Sequence, residues 1–325
     1  EGVNFTLVED VGHEIPRIVR AAGTLGKIDL VVGTTAPPQG GDIARKIAKA
    51  CGSKYIYKVL DLYPALAAAL GKTRAGGFLY RCWLTADTRA MQGAAAVVCI
   101  AERMTRRIAE TRPIPGDRLH TIHDGYDASR LAPTPDNPFR ARHNSDGRFV
   151  VQYAGNMGLS HPFDAILAAA RQLASDKGIR FQFIGDGPQR ETIRVQLSPN
   201  CQLIDYQPAD QLGNILATAD VCLISQHETM FDMALPYKIY ANLAAGKPVI
   251  FIGNRRSEIA EWLEDSGAGI CVPHSDPGAL VAAVQAFRGS EEKRTAAGRA
   301  ARALFEARFD SSAAARAWVE LLERC

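Results

Sequence analysis

The chain has 325 residues, which is longer than a single hydrophobic core usually grows and therefore predicts two domains. Hydrophobic residues make up 47% and charged residues 22%, an ordinary globular composition that argues against disorder and fibrous repeats. The 38 basic and 35 acidic residues leave a net charge of +3, which gives no electrostatic signature of nucleic-acid binding, and no apolar stretch approaches the roughly 20 residues that cross a bilayer.

Short β-branched runs alternate with alanine-rich helical patterns along the whole chain. This rhythm is typical of βαβ units and parallel sheets, so we predict an α/β protein with two such sheets. The predicted strands are residues 4–8, 29–33, 54–60, 96–100 and 119–123 in the first half, and 149–153, 180–184, 202–204, 221–225, 248–253 and 269–272 in the second.

A linker is predicted between the two sheets. Residues 131–148 are rich in Pro, Asn, Asp and Ser, and three prolines in this segment discourage both helix and strand. The predicted divisions are a first domain at 1–140, a second domain at 141–310 and a C-terminal helix at 311–325.

The first candidate binding motif follows the strand at 149–153. It consists of Gly155, Asn156, Met157 and Gly158 and precedes a helical pattern that starts at Pro162. Glycines at a strand-to-helix turn let the backbone approach a phosphate, and the helix start adds free N–H groups. We expect a pyrophosphate here, although a tight turn with nothing bound would explain the same residues.

A second glycine turn, with Gly185, Asp186 and Gly187, follows the next strand. Ligands of doubly wound sheets bind at the carboxyl ends of strands, so two adjacent glycine-rich ends favour a nucleotide. Neither turn has the G-x-G-x-x-G pattern, and no P-loop motif occurs, so dinucleotide-dependent oxidoreductases and P-loop ATPases are disfavoured.

The third motif is a predicted helix that begins at Pro236 and ends near Gly246. Lys238 lies in its first turn, where a cation opposes the helix dipole unless an anion is close by. Lys238 is therefore a candidate phosphate ligand, and the alternative is a lysine that simply faces water.

Together these segments resemble the retaining, sugar-nucleotide-dependent glycosyltransferases of family 4. Members have the GT-B fold, in which two Rossmann-like domains face each other across a cleft. The resemblance implies that 1–140 is an acceptor-side Rossmann-like domain, that 141–310 is a nucleotide-sugar-binding Rossmann-like domain, and that the helix at 311–325 crosses back to the first domain. The segment at 61–64 also resembles the D-L-W-P-E motif of polysaccharide-building members such as the WbuB group. The other matching strings lie in family order at residues 121–127, 153–156, 184–188, 219–221, 243–250 and 305–310.

The resemblance has departures. Family members commonly carry Arg and Lys in the first phosphate loop, where this chain has Asn156 and, further on, His161. The two acids of the family's E-x7-E motif fall at Met233 and Ala241, so both are missing. The resemblance also leads us to expect about two more strand–helix units ahead of Glu1.

The resemblance implies a set of site residues. Lys238 would supply the positive charge for the donor diphosphate, with Arg190 as a weaker substitute, and Asn242 would contact the ribose. His227 follows a strand end, and a structural role is the alternative for it. The predicted catalytic residues are His227, Glu228 and Asp232; the donor-binding residues are Gly155, Asn156, Met157, Gly158, Gly185, Asp186, Gly187, Arg190, Tyr206, Gln207, Tyr237, Lys238 and Asn242; and the cleft residues are Asp124 and Gly125.

The implied activity is transfer of a sugar, from a UDP-sugar rather than a GDP-sugar, to a lipid-linked or cell-surface glycan, without a metal or cofactor. Two alternatives stay open: a non-catalytic nucleotide-sugar-binding or scaffold protein, suggested by the missing acids, and a sugar-nucleotide 2-epimerase. The seven cysteines contain no C-x-x-C pair and indicate a reduced, cytoplasmic protein. Basic and aromatic residues mixed over 70–89 suggest a helix on the inner membrane surface, or else an ordinary helix covering the first sheet.

Overall fold

The computed structural model describes Ala22, Thr24 and residues 27–325. These residues form two compact units, which are built from alternating stretches of the chain. The first unit contains the described residues up to His123, together with Asp232–Leu235 and Trp318–Cys325. The second unit contains Asp124–Phe231 and Pro236–Ala317.

The first unit is built on a parallel sheet of four strands in the order β1-β2-β3-β4. Strand β3 is buried at every residue, as its apolar sequence requires. The elements of this unit are β1 (Leu30–Thr34), α1 (Gly40–Cys51), β2 (Lys54–Val59), α2 (Ala65–Ala69), α3 (Phe78–Gly93), β3 (Ala96–Cys99), α4 (Glu102–Thr111) and β4 (Leu119–Thr121).

The second unit is built on a parallel sheet of six strands in the order β10-β9-β8-β5-β6-β7. Its strands are β5 (Phe149–Ala154), β6 (Ile179–Ile184), β7 (Cys201–Ile204), β8 (Val221–Ser225), β9 (Val249–Ile252) and β10 (Gly269–Val272). Its helices are α5 (Pro138–His143), α6 (Asp164–Gln172), α7 (Arg190–Arg194), α8 (Leu212–Thr218), α9 (Lys238–Ala244), α10 (Glu258–Ser266), α11 (Pro277–Arg288) and α12 (Glu291–Arg308), and α13 (Ser311–Leu322) begins in this unit.

The strand predictions agree with the structure. All ten predicted strands that fall within the described residues are present, with ends that differ by no more than two residues. The predicted strand at 4–8 lies outside the described residues. The predicted fold class, α/β with two parallel sheets, is confirmed.

The prediction that residues 131–148 lack regular structure is wrong in part. Helix α5 begins at Pro138, which occupies the first turn, where a missing backbone N–H leaves no hydrogen bond unmade. The Asn137 side chain caps this helix by accepting from the Arg140 N–H at 2.9 Å, and Phe139 is buried beneath it. This segment is therefore folded into the second unit.

The predicted surface helix at 70–89 starts later than its composition suggested. Gly76 has a φ of 70°, a left-handed conformation that helices exclude, and α3 begins only at Phe78. Phe78 and Leu79 are each 75% exposed at this helix start. None of the helices formed by the described residues combines the length and apolar character that a membrane span requires.

All seven cysteines lie within the described residues, and none of them forms a disulfide. Cys99, Cys222 and Cys271 are buried, whereas Cys82 is exposed on α3.

Candidate functional site

The second unit has a topological switch point between β5 and β8. Strand β5 pairs with β6 on one side and with β8 on the other, so the chain changes direction across the sheet at this position. In open parallel sheets, ligands bind outside the carboxyl ends of the strands at such a point. The predicted first glycine turn, after β5, lies there.

The two glycine turns interlock. The Gly155 N–H donates to the Ile184 carbonyl at 2.9 Å, and the Met157 N–H donates to the Asp186 carbonyl at 2.7 Å. A Cβ atom on Gly185 would lie 2.3 Å from the Gly155 oxygen, which no real side chain tolerates. Glycine is therefore required by backbone packing as well as by the φ of 127° at Gly185.

Lys238 places its amino group directly beside the first glycine turn. Its Nζ atom is buried and lies 3.5 Å from the centroid of the Tyr153 ring. A Cβ atom at Gly155 would lie 3.4 Å from both Cε and Nζ of Lys238. No hydrogen-bond acceptor reaches Nζ from any described residue.

This burial lowers the pKa of Lys238 to about 7. The aromatic face of Tyr153 stabilises the ammonium form by a cation–π interaction, but it does not replace the hydrogen bonds of water. Near pH 7 the buried amino group is therefore only partly protonated, and no described residue accepts a hydrogen bond from it.

His161 is a second titratable group at this position. Burial and, to a smaller extent, the charge of Lys238 lower its pKa to about 4, while a hydrogen bond to Ser225 opposes the shift. The ring is therefore neutral near pH 7, and its Nδ1 lies 2.5 Å from the Ser225 carbonyl oxygen, to which Nδ1–H donates. Lys238 then remains the cation beside the first turn.

The helix after the first turn begins at Asp164, not at Pro162 as the sequence predicted. Residues 159–163 separate Gly158 from it, and the Gln189 side chain holds this connection by donating to the Gly158 and His161 carbonyls at 2.5 and 3.0 Å. The expected direct contribution of a helix N-terminus to the first turn is therefore weaker than the sequence suggested. Met157 is fully buried, its N–H donates to the Asp186 carbonyl and its own carbonyl accepts from the Gln189 N–H at 3.1 Å, so neither its side chain nor its backbone is exposed to a ligand.

Arg190 is already paired. Its guanidinium contacts the carboxylate of Asp205 and lies 3.8 Å from that of Asp186. A donor phosphate would have to compete with both carboxylates for this guanidinium, which agrees with its predicted secondary role.

Tyr206 and Gln207 follow β7 at the sheet edge. Tyr206 is 70% exposed, and Gln207 donates to the Asp205 carbonyl at 3.0 Å. Gln207 and Asp205 line a cavity of about 430 Å³ together with Arg142, His143, Gln202, Leu203 and Ile204.

Tyr237 connects the start of α9 to the predicted cleft residues. Its hydroxyl donates to the Gly125 carbonyl at 3.2 Å, and Gly125 has a φ of 66° with its Cα close to the Phe309 carbonyl.

The other predicted cleft residue, Asp124, acts on the buried Tyr240. Desolvation is the main cause that raises the pKa of the Tyr240 phenol, and the charge of Asp124 is the second. Asn242, the predicted ribose partner, lies on α9 and is 5% exposed.

The three predicted catalytic residues do not share one environment. The His227 N–H donates to the Ser160 carbonyl at 2.9 Å and its ring Nδ1 lies 3.0 Å from the Thr229 hydroxyl, while Glu228 is exposed. Asp232 belongs to the first unit, where Arg107 contacts its carboxylate at 2.5 Å. Their assignment to catalysis stays a prediction.

Among the residues that the structure describes, no three His, Cys, Asp or Glu side chains are grouped closely enough to hold a metal ion. Sequence reasoning did not single out Tyr153, the residue that underlies Lys238. The position of Tyr153 in β5 predicts only an aromatic residue of the core. Its contact with Lys238 depends on a helix that begins 85 residues later in the chain.

Comparisons with known proteins agree with this arrangement. Residues 148–288 match the family model described as glycosyl transferases group 1, which covers most of the second unit. The chain is 28% identical over 237 residues to the probable glycosyltransferase WbjE of Pseudomonas aeruginosa, a match that covers 71% of this chain and 59% of WbjE. It is 21% identical over 270 residues to the putative colanic acid biosynthesis glycosyl transferase WcaI of Escherichia coli K12, covering 80% of this chain and 66% of WcaI. The chain thus spans about three fifths of these curated relatives.

A solved structure with a similar fold is that of the Anabaena protein HepE, determined in complex with UDP and glucose. Its TM-score is 0.78 at 13% identity, and the match covers 96% of this chain and 81% of HepE. The predicted resemblance to the glycosyltransferases is confirmed by the match of residues 148–288 to this family model and by the two curated relatives.

Proposed function

We propose that the protein is a retaining glycosyltransferase of family 4 that transfers a hexosyl or N-acetylhexosaminyl group from a UDP-sugar to a lipid-linked or cell-surface glycan. The observation that carries this proposal is the buried ammonium of Lys238 beside the Gly155 turn at the sheet switch point. The relatives support it, because two of them are named as glycosyltransferases and HepE was solved with UDP and glucose.

Lys238 fits the charge requirement of the reaction. Breaking the bond between the anomeric carbon and the diphosphate oxygen leaves negative charge on the departing nucleotide. A preorganised ammonium in a site that excludes water stabilises such charge better than water does. The phosphate oxygens would give Nζ the charge-assisted hydrogen bonds that it lacks.

In the proposed reaction the acceptor hydroxyl attacks from the face that the diphosphate leaves. The bond from the anomeric carbon to the diphosphate oxygen breaks, the bond to the acceptor oxygen forms, and the hydroxyl proton passes to the departing diphosphate. The configuration at the anomeric carbon is then retained. We propose that this occurs without a metal or cofactor, with Lys238 supplying the positive charge.

The proposed acceptor is carried by a membrane lipid at the inner face of the cell membrane. Phe78 and Leu79 are each 75% exposed at the start of α3, and Lys72, Arg74 and Arg81 are exposed around them. Apolar side chains flanked by cations suit contact with an anionic lipid surface.

A non-catalytic nucleotide-sugar-binding protein is the second candidate. The positions expected to carry the family's two acids hold Met233 and Ala241, which are 8% and 5% exposed. Apolar side chains at both positions favour binding without turnover.

The deciding experiment incubates the complete protein with UDP-, GDP- and ADP-sugars and a membrane lipid extract, and measures nucleotide release and product mass. Release of UDP with a lipid product of increased mass supports the proposed transferase. Thermal stabilisation by UDP with no turnover of any donor would instead favour the binding protein. Absence of both stabilisation and turnover would contradict both candidates.

A further inference from the structure

The carboxyl end of β2 in the first unit holds an aspartate whose backbone is fixed on two sides. The N–H groups of Leu60 and Asp61 both donate to the Thr35 hydroxyl oxygen, at 2.9 and 3.0 Å. Asp61 also forms an antiparallel bridge with Ala234. These contacts fix the backbone of Asp61 at the carboxyl end of β2. Ligands of parallel sheets bind at this end of the strands.

The carboxylate of Asp61 is partly exposed. Within residues 27–325 no side chain or backbone donor makes a hydrogen bond or ion pair with it. Desolvation raises the pKa of this carboxyl to about 6. Withdrawing a charge from water without giving it a partner destabilises the fold, and such groups are concentrated at binding sites.

An aromatic pair begins two residues along the chain, at Tyr63, whose N–H donates to the Asp61 carbonyl at 3.2 Å. Tyr63 and Trp83 stack with centroids 5.3 Å apart and planes inclined by 10°, and both are partly exposed. Burial first, and the charge of Asp61 second, raise the pKa of the Tyr63 phenol, which places the carboxylate close to that ring.

The aromatic pair stands on a rigid base. Arg112 donates to the Tyr63 carbonyl at 3.1 Å and to the Thr88 hydroxyl at 2.6 Å, and it lies 3.2 Å from the buried carboxylate of Asp87. The Asp87 carboxylate also accepts from the Tyr57 hydroxyl at 2.8 Å. The stacked rings are therefore held in place before any ligand arrives.

This combination restricts the ligand chemistry. An ionised carboxylate only accepts hydrogen bonds, so its partner must carry donors, and it repels phosphate. The outer face of a partly exposed aromatic ring offers a flat apolar surface for packing. A pyranose ring provides both features, since its hydroxyl groups donate at the rim and its C–H groups form an apolar face.

We propose that Asp61, Tyr63 and Trp83 form a subsite for a pyranose ring of the acceptor, in which the Asp61 carboxylate accepts a hydrogen bond from a ring hydroxyl. This inference rests on the proposed function, because it takes the acceptor to be a glycan. It adds an acceptor-binding group in the first unit to the donor site of the second.

The test is ligand-observed saturation-transfer NMR on the complete protein with saturating UDP. The probes are the methyl α- and β-glycopyranosides of glucose, galactose, mannose, fucose and N-acetylglucosamine. We expect at least one probe to receive saturation, with at least a fivefold loss of signal in both Asp61→Ala and Trp83→Ala. Asp117→Asn, which changes an exposed carboxylate of the same unit, should leave the signal unchanged.

Asp61→Asn provides the conservative comparison, because it keeps the size of the side chain and removes its charge. It should weaken probe binding while unfolding at the same or a higher temperature than the wild type. Saturation of no probe in the wild type, or equal saturation in wild type and Asp61→Asn, would overturn the subsite. UDP affinity, measured calorimetrically on the same samples, separates this outcome from failure of the proposed function, because a wild type that does not bind UDP contradicts the donor site and not the subsite.

Discussion

The Nζ atom of Lys238 lies 3.5 Å from the centroid of the Tyr153 ring and, among the described residues, has no other polar partner. The protonated amino group thus packs on an aromatic face and can still donate hydrogen bonds to the oxygen atoms of a ligand. Helix α9, which begins at Lys238, and strand β5, which carries Tyr153, both come from the second unit, so this contact lies within one compact unit.

Replacing Lys238 by alanine should weaken UDP binding. Loss of a charge-assisted hydrogen bond corresponds to about 1.5 to 3 kcal/mol, or roughly 10- to 150-fold in Kd. Isothermal titration calorimetry measures the change, and Lys177→Ala removes an exposed lysine of the same unit as a control. Equal UDP affinity in Lys238→Ala and wild type would remove this residue from the donor site.

UDP binding should take up a proton above pH 7. Free Lys238 has a pKa of about 7, and a diphosphate bound beside it favours the ammonium, so the pKa rises on binding. At pH 8 we expect an uptake of about one proton, and Kd should rise up to about tenfold per pH unit above 7. Calorimetry in HEPES and in Tris gives the proton count from the difference in apparent enthalpy. In Lys238→Met this buffer dependence should vanish; its persistence there would assign the proton to another group.

Gly185→Ala should destabilise the second unit and abolish UDP binding. The added Cβ would meet the Gly155 oxygen at 2.3 Å, at a φ that alanine rarely adopts. We expect a loss of about 2 to 4 kcal/mol in the free energy of unfolding, measured by chemical denaturation. Gly116→Ala, where a Cβ meets nothing within 4 Å and φ is not left-handed, should change stability by less than about 0.5 kcal/mol. Similar losses in both variants would argue against a special role of the interlocked turns.

Asp61→Asn should stabilise the protein at neutral pH. The folded-state pKa of Asp61 is about 6, against 3.8 for an unperturbed aspartate, so the folded state binds more protons between these values and stability falls as pH rises through them. This cost is absent below pH 3.8 and complete above pH 6. Its ceiling is about 3 kcal/mol, and the partial exposure of the carboxylate reduces our expectation to about 1 to 2 kcal/mol at pH 7.5. Denaturant unfolding at pH 7.5 and 4.5 checks it, and a variant no more stable than wild type at pH 7.5 would contradict the raised pKa.

The double variant Phe78→Ser and Leu79→Ser should lose binding to anionic vesicles. The two side chains are exposed beside exposed cations, so the wild type should sediment with phosphatidylglycerol vesicles and not with pure phosphatidylcholine. We expect the bound fraction to fall at least fivefold in the double variant. Val195→Ser, which removes a 67% exposed apolar side chain from the second unit, serves as the control. Equal binding of wild type to both vesicle types would reject the membrane contact.

The sheet architecture was predictable because each described strand carries its own signal. A buried β-branched run such as Val221–Ser225 needs no information from elsewhere in the chain. The start of α3 was not predictable from composition, since the backbone conformation of Gly76 determines it. Helix α5 was missed because the segment was judged by its three prolines together. One of them, Pro138, occupies the first turn of the helix, a position where proline is accepted.

The candidate site was predictable at the level of motifs and less so at the level of contacts. The glycines and Lys238 carry a local signature, in the form of strand ends and a charge placed at a helix start. The pairing of Lys238 with Tyr153, and the shift of His161 to a neutral ring, depend on burial and on residues distant in sequence. No periodicity in one sequence contains that information.

The interleaved course of the chain has a consequence for protein engineering. Asp232–Leu235 joins the first unit through the Leu62 N–H, which donates to the Met233 carbonyl at 2.7 Å, and Lys58 lies 5.7 Å from the Trp318 ring centroid. Consider a chimera that exchanges the first unit between two such proteins at a single junction near His123. Asp232–Leu235 and Trp318–Cys325 would then come from a different protein than the rest of the first unit. Exchanging the complete first unit therefore requires three exchanged segments, joined at the boundaries of Asp232–Leu235 and at Trp318 as well as at His123.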